Sequence, residues 1–195
     1  MHITVFSSSS DAVDPAFFDV ATELGRAMAD RGDTLVYGGT KVGLMGAVAR
    51  AAFDKGGKVI GVIPRYIAER GIDFSECDLH VTRDLRERKA KMEQLGEAFV
   101  ILPGGFGTLE ELLEIMTLKQ LQQHQKAIVI LNAHGFYDPL AALFEHVYQQ
   151  RFARETSRAL YHFASNVDGT FEYLDRYHPT PIPTKWFNPP KSNSE

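Results

Sequence analysis

A single α/β domain, with a parallel sheet covered by helices on both faces, is predicted from three features of the sequence. Short apolar runs rich in β-branched residues recur along the chain, segments with helical periodicity separate them, and two glycine clusters stand directly after two of the runs. Strands that alternate with helices imply right-handed crossovers and therefore parallel pairing, a Rossmann-like arrangement.

The elements follow in chain order. Ile3–Phe6 reads as the first strand, and Asp14-Pro15 then opens a helix that Gly32 closes. Within it Phe17, Val20, Ala21, Leu24, Ala27 and Met28 share one face through spacings of three and four. Leu35–Tyr37, Val59–Ile63 and Leu79–Thr82 are the next strands. A charged helical segment, 83–95, leads to the strand Phe99–Leu102, and a helix runs from Thr108 to about Gln122. The strand Ile128–Leu131 precedes a helix opened by Asp138-Pro139 and carrying Leu140, Leu143, Phe144 and Val147. These elements make residues 1–177 one nucleotide-binding-type domain. Residues 178–195 hold five of the nine prolines, which excludes a helix or a central strand and predicts an extended tail.

Composition excludes several functions. The 195 residues carry a formal charge of −4, against general binding of nucleic acid or membrane surface. No apolar run approaches the roughly 20 residues of a membrane span, and the N-terminus lacks a basic leader region, so a cytoplasmic protein is expected. The lone Cys77 excludes an internal disulfide and a multi-cysteine metal site, and reads as a buried small residue. His2, His80, His124, His134, His146, His162 and His178 are scattered without ligand spacing, so neither a metal nor a cofactor is expected.

The 16 glycines are unevenly spread. Gly38-Gly39-Thr40-Lys41-Val42-Gly43-Leu44-Met45-Gly46 follows the second strand, and Pro103-Gly104-Gly105-Phe106-Gly107-Thr108 follows Phe99–Leu102. In a parallel sheet both lie at the carboxyl ends of strands, where ligands bind. Glycine there lets a phosphate approach bare N–H groups, and a helix beginning near Thr108 adds its positive end. Neither cluster is a standard fingerprint: Glu110 stands at the third glycine position of G-x-G-x-x-G, and Leu44-Met45 replace the P-loop Lys-Ser/Thr. A tight strand-to-helix turn explains one such cluster; two in one small domain point to a ligand.

Thr108-Leu109-Glu110-Glu111 reads as a capping box, with Thr108 at the N-cap and Glu111 reaching back. A carboxylate held there also stands close to whatever carries a phosphate, as a base or as the stabiliser of a cation. In the charged helix Leu85, Met92 and Leu95 define an inward face that includes Arg88 and Lys89, whereas Arg86, Glu87 and Lys91 read as solvated. Cations in an apolar stripe either extend to its edge or meet a buried anion.

The sequence Pro103-Gly-Gly-Phe-Gly-Thr-Leu-Glu-Glu111 matches the PGGxGTxxE motif of the LOG ("lonely guy") family, and Glu87-Arg88-Lys89-Ala90-Lys91-Met92 resembles its arginine-lysine helix motif. Tyr37–Gly46 and Gly61-Val62-Ile63-Pro64 are similar as well. The resemblance implies a Rossmann-like homodimer, or a higher homo-oligomer, that hydrolyses the N-glycosidic bond of adenosine-type 5′-monophosphates. The products would be an N6-modified adenine or adenine and ribose 5-phosphate. By the same resemblance Arg88 and Glu111 form the catalytic pair. Gly104, Gly105, Gly107 and Thr108 hold the 5′-phosphate with Lys89, and Ser8, Gly39, Gly43, Met45 and Gly46 line the nucleotide pocket. The small-molecule partner is thus a nucleoside monophosphate. Lysine decarboxylase, a label often attached to the family, finds no lysine in a recognisable pyridoxal-phosphate setting. Two departures bear on base preference: the first strand ends in Phe6-Ser7-Ser8-Ser9-Ser10 where Cys-Gly-Ser is common, and Thr40-Lys41 replaces a glycine-rich pair. The competing readings are a non-catalytic carrier of the molybdenum-cofactor type and a broader purine or pyrimidine monophosphate nucleosidase.

Overall fold

The computed structural model describes residues 1–180, so the proline-rich tail beyond Thr180 lies outside the described residues. Seven strands form one sheet: β1 (His2–Phe6), β2 (Thr34–Tyr37), β3 (Lys58–Pro64), β4 (Asp78–Thr82), β5 (Ala98–Ile101), β6 (Ala127–Leu131) and β7 (His162–Ala164). Their order is β4-β3-β2-β1-β5-β6-β7, and every pairing between them is parallel. The chain therefore builds outwards from β1 to one edge, returns to the centre, and builds to the other. The helices are α1 (Pro15–Asp30), α2 (Gly43–Asp54), the single turn α3 (Arg65–Ala68), α4 (Leu85–Leu95), α5 (Phe106–Gln120), α6 (Asp138–Gln149) and α7 (Val167–Arg176).

Alternation along β1 divides the core. Ile3 and Val5 join Leu35 and Tyr37 in a cluster with α1, α2 and α7, while Phe6 joins Val36, Phe99 and Ile101 beneath α4, α5 and α6. Thr4 points to the second layer and donates to Met92 O at 2.9 Å, so its hydroxyl is paired. The predicted ends of α1 hold: Asp14 accepts from Ala16 N–H and Pro15 takes the first helical position. Gly32 follows the cap residue Arg31 with φ +71°, the left-handed conformation that stops a helix.

Four elements have no counterpart among those read from the sequence, the single-turn α3 among them. The glycine cluster conceals the start of α2, α7 shares its stretch with polar residues, and β7 is only three residues long. Leu85, expected inward, is 43% exposed at the first residue of α4.

Lys119 is an unexpected buried cation. It is 1% exposed, donates to Leu160 O at 2.9 Å and lies 5.0 Å over the Tyr177 ring, with no carboxylate partner among the described residues. Burial pushes its pKa from 10.5 down to about 8. The unfolded chain thus binds this proton more tightly than the folded one. Stability from this group is complete above about pH 10.5 and is lost as pH falls through about 8. Denaturant unfolding of wild type and Lys119→Met between pH 7 and 10 tests this. The wild-type stability rises relative to the variant across that window; a constant difference would show that the ammonium is not strained by burial.

Candidate active site

The strand order reverses between β1 and β5, and the crevice outside such a reversal is where open parallel sheets bind ligands. β2 and β5 flank β1, so both glycine clusters and the serine run after β1 meet at one carboxyl edge. Ser8 N–H donates to Pro103 O at 3.1 Å, tying the serine run to the loop after β5. On its other side Ser8 O accepts Met45 N–H at 3.2 Å, and the Asp11 carboxylate accepts Gly43 N–H at 2.8 Å. The first turn of α2 is thus already held by protein groups.

The two glycine clusters differ in kind. Gly43 has φ +60°, and a Cβ there would stand 2.5 Å from Ser9 C; one at Gly46 would stand 2.2 Å from Lys41 O. Gly39, with φ +76°, is pressed against Ile63 in the same way. Packing and backbone conformation explain these glycines, which are buried together with Met45. In the second cluster Gly104 lies against Thr108, but a Cβ on Gly105 or Gly107 would meet nothing within 4 Å. Neither has positive φ, so neither packing nor conformation demands glycine there.

α5 begins at Phe106, with Gly105 as its N-cap and no capping side chain. The expected capping box does not form: Thr108 is the third helical residue, so Glu111 lies too deep to reach back to the cap. The first-turn N–H groups are left for solvent or an anion. Glu111 turns inward instead. It is 3% exposed and accepts from the Arg88 guanidinium, itself 8% exposed. Arg88 extends from α4 to the end of β2, where a Cβ on Gly38 would stand 3.3 Å from its Nη1 and 3.0 Å from Met45 Sδ. Its Nε is buried without a partner, as is Ser7 Oγ. Burial pushes the Glu111 carboxyl from 4.5 up to about 7, against the opposing attraction of Arg88. Lys89 is bound by Glu110 and by Glu114 at 2.7 Å, so its ammonium already has two carboxylate partners.

Two cavities flank the end of β1. One, of about 360 Å³, lies between α4 and α5, with Phe6, Arg86, Lys89, Glu93, Glu111 and Glu114 in its walls. The other, of about 290 Å³, is lined by Ser8, Phe17, Leu44, Gly104, Gly105 and Phe136. Ser8 therefore joins the second glycine loop, and Lys89 joins Glu111. Gly39, Gly43, Met45 and Gly46 line neither cavity, and Leu44 stands in their place. Arg86, read as solvated, lines the Glu111 cavity because the α4–α5 groove is open along its length. Asp11 carried no motif that reveals its part; only its side-chain contact with α2 does. A cleft of about 600 Å³ between α1 and α7 is remote from these groups and is walled by ion-paired residues such as Arg31 and Asp175. Among the described residues no group of three or more His, Cys, Asp or Glu is placed to hold a metal ion.

Comparison with known proteins gives consistent results. A family model described as "Possible lysine decarboxylase" matches residues 45–174. The chain is 38% identical over 178 residues to the cytokinin riboside 5′-monophosphate phosphoribohydrolase LOG of Oryza sativa subsp. japonica, covering 91% of this chain and 74% of that protein. It is 39% identical over 169 residues to the cytokinin riboside 5′-monophosphate phosphoribohydrolase of Rhodococcoides fascians, covering 86% and 85%. Among solved structures, the molybdenum cofactor binding protein from Rippkaea orientalis superposes with a TM-score of 0.69 at 20% identity, covering 89% of this chain and 94% of that one. The molybdenum cofactor carrier protein from Chlamydomonas reinhardtii gives 0.66 at 22%, covering 89% and 95%. At these identities the structures show a shared fold.

The raised carboxyl has a measurable consequence. Glu111 favours the folded state when protonated, so its contribution is complete below about pH 4.5 and is lost as pH rises through about 7. A carboxyl resonance absent from Glu111→Gln titrates near pH 7 by NMR, and moves higher in Arg88→Ala. A midpoint in the ordinary carboxylate range would mean that the ion pair outweighs burial.

Proposed function

We propose, for a chain that belongs to the LOG family of cytokinin riboside 5′-monophosphate phosphoribohydrolases, that Arg88 and Glu111 are the groups with which it hydrolyses the N-glycosidic bond of its nucleotide. The enzyme is an N-glycosyl hydrolase that releases the free base and ribose 5-phosphate. The observation that carries the assignment is a buried carboxylate, paired with a buried arginine, inside the helix that follows the one glycine loop with open space around it.

The chemistry follows from that placement. Departure of the base leaves an oxocarbenium-like ribosyl cation, which the Glu111 carboxylate stabilises while it orients or deprotonates the attacking water. The Arg88 guanidinium holds the carboxylate in place and supplies electrostatic positioning, since arginine is a poor proton donor at neutral pH. The 5′-phosphate is seated at the uncapped start of α5, against the N–H groups next to Gly105, Gly107 and Thr108. Space supports the second loop: a Cβ on Gly105 or Gly107 would meet nothing within 4 Å, whereas one on Gly43 or Gly46 would touch backbone. Lys89, bound to two carboxylates, acts on the phosphate only through its field, and as a paired ammonium it is ill suited to the imine linkage a lysine decarboxylase needs. The carrier reading has fold likeness alone behind it.

Two finer points belong to the same proposal. The working unit is a homodimer, in keeping with the 92% exposure of Phe106 beside the phosphate seat. Adenine and N6-modified adenine nucleotides are both substrates, the departures at Ser7–Ser10 and Thr40-Lys41 setting the preference between them.

Incubation with a panel of nucleoside monophosphates, the matching nucleosides and isopentenyl-AMP, followed by detection of free base, tests the reaction. Release from nucleosides as fast as from monophosphates would contradict the phosphate seat. Glu111→Gln and Arg88→Ala keep the fold and lower kcat/KM by about 10²–10⁴. In wild type the acid limb of kcat/KM lies near pH 7, where Glu111 ionises. Gly105→Ala and Gly107→Ala leave Tm unchanged but raise KM for the monophosphate on the order of tenfold, the equivalent of about one hydrogen bond. Loss of Tm without change in KM would return those glycines to a structural role.

A further inference from the structure

A glycine-rich loop binds an anion well only when something outside it removes its freedom, because glycine loses more conformational entropy on ordering than any other residue. Gly104, Gly105 and Gly107 bring no side chain for this, and Pro103 has no N–H to anchor. The loop after β5 is nevertheless held on its strand side by two donors. Ser8 N–H reaches Pro103 O at 3.1 Å, and the Tyr137 hydroxyl donates to Leu102 O at 2.8 Å. With the Pro103 ring fixing φ between them, two successive carbonyls are set by groups from two other parts of the chain.

Tyr137 is built into its place. β6 ends at Leu131, and the chain then turns through His134 and Gly135, both in the left-handed region with φ +52° and +73°. A non-glycine residue there is unfavourable unless its surroundings impose it. The Asn132 side chain is part of that imposition. Its amide oxygen accepts Tyr137 N–H at 2.7 Å, and its amide nitrogen donates to the Asp138 carboxylate at 2.7 Å. The turn leaves Phe136 in the wall of the cavity beside Gly104 and Gly105, and buries Tyr137 in the layer that holds Phe6, Ile101 and Leu112. A phenylalanine would fill that space, and a buried phenol costs free energy unless its hydroxyl is paired. Burial raises the phenol's pKa above its ordinary 10, so the group stays protonated and remains a donor.

We propose that Tyr137 is a positioning residue for the 5′-phosphate, its hydroxyl holding Leu102 O so that the 103–108 loop is set before the nucleotide arrives. The role rests on the reading of that loop as the phosphate seat. Tyr137 touches neither substrate nor the Arg88–Glu111 pair; it acts through one main-chain carbonyl. Its contribution is therefore to binding of the phosphate end, alike in the ground state and the transition state, and so to KM.

Tyr137→Phe keeps the ring and removes only the hydrogen bond. In this variant KM for AMP and the inhibition constant of ribose 5-phosphate rise together, about three- to tenfold, while kcat is unchanged; that is the equivalent of one hydrogen bond. Tyr148→Phe is the control. Its hydroxyl is paired with that of Tyr161 at 3.0 Å in the same layer and is bonded to no residue of the loop. A fall in Tm is common to both variants, but the rise in KM belongs to Tyr137→Phe alone. Should Tyr137→Phe fail to fold by circular dichroism, Asn132→Ala, which frees the Tyr137 backbone and leaves its ring intact, raises the same two constants. An unchanged KM in the folded variant, or an equal rise in Tyr148→Phe, overturns the proposal and leaves the phosphate seat standing. Failure of ribose 5-phosphate to compete with AMP in wild type overturns the seat itself, and the role of Tyr137 with it.

Discussion

A carboxylate cannot be buried alone, and much of this site follows from that. Glu111 is sealed beneath α5 with one strong partner, Arg88, which must cross from α4 to reach it. Removing one member of such a pair leaves an uncompensated buried charge and costs about 3–5 kcal/mol, whereas the intact pair adds little net stability. The pair is therefore a poor way to hold α4 to α5 and a good way to hold one carboxyl at a fixed place with its proton near balance. The open groove between the two helices fits this view, since apolar side chains would have closed it had stability been the aim.

The sheet supplies the complementary constraint. Because the strand order reverses beside β1, the loops after β1, β2 and β5 converge without any long excursion of the chain. They divide the work. The loop after β2 is locked by Asp11 and Ser8 into the start of α2, and it presents Met45 and Gly38 to the Arg88 guanidinium. The loop after β5 is left uncapped and open. One loop supports the Arg88–Glu111 pair from behind, while the other leaves the start of α5 without a capping side chain.

The sequence was informative where a residue's neighbours in space are also its neighbours in the chain. Strand runs, the Asp14-Pro15 start and the Gly32 stop all have local causes, and all were legible. The motif residues Arg88 and Glu111 were legible through resemblance, but their contact was not, because it joins residues 23 apart on two different helices. The capping box failed for the opposite reason: its spacing was right, yet α5 is capped three residues early, at Gly105, which leaves Thr108 inside the helix. Two glycine clusters of equal appearance could not be told apart, since the difference lies in atoms of Ser9, Lys41 and Ile63 brought in from elsewhere. Arg86 is exposed, as its place on the helix predicts, and it also borders the α4–α5 groove, which a helical wheel does not show.

The central position of β1 has a consequence in time. Of the seven strands it is the first to be synthesised, and its neighbours arrive far apart: Thr34 pairs with His2, but Ala98 pairs with Ile3 only 64 residues later. At about 5–20 residues per second, a ribosome takes roughly 3–13 s to make that stretch. Throughout that interval Ile3, Val5 and Phe6 lie on an unfinished edge, the kind of strand that recruits other chains. The strand on which the candidate site converges is thus the one a nascent chain must protect longest, and crowding or slow translation lowers the yield of folded protein there first.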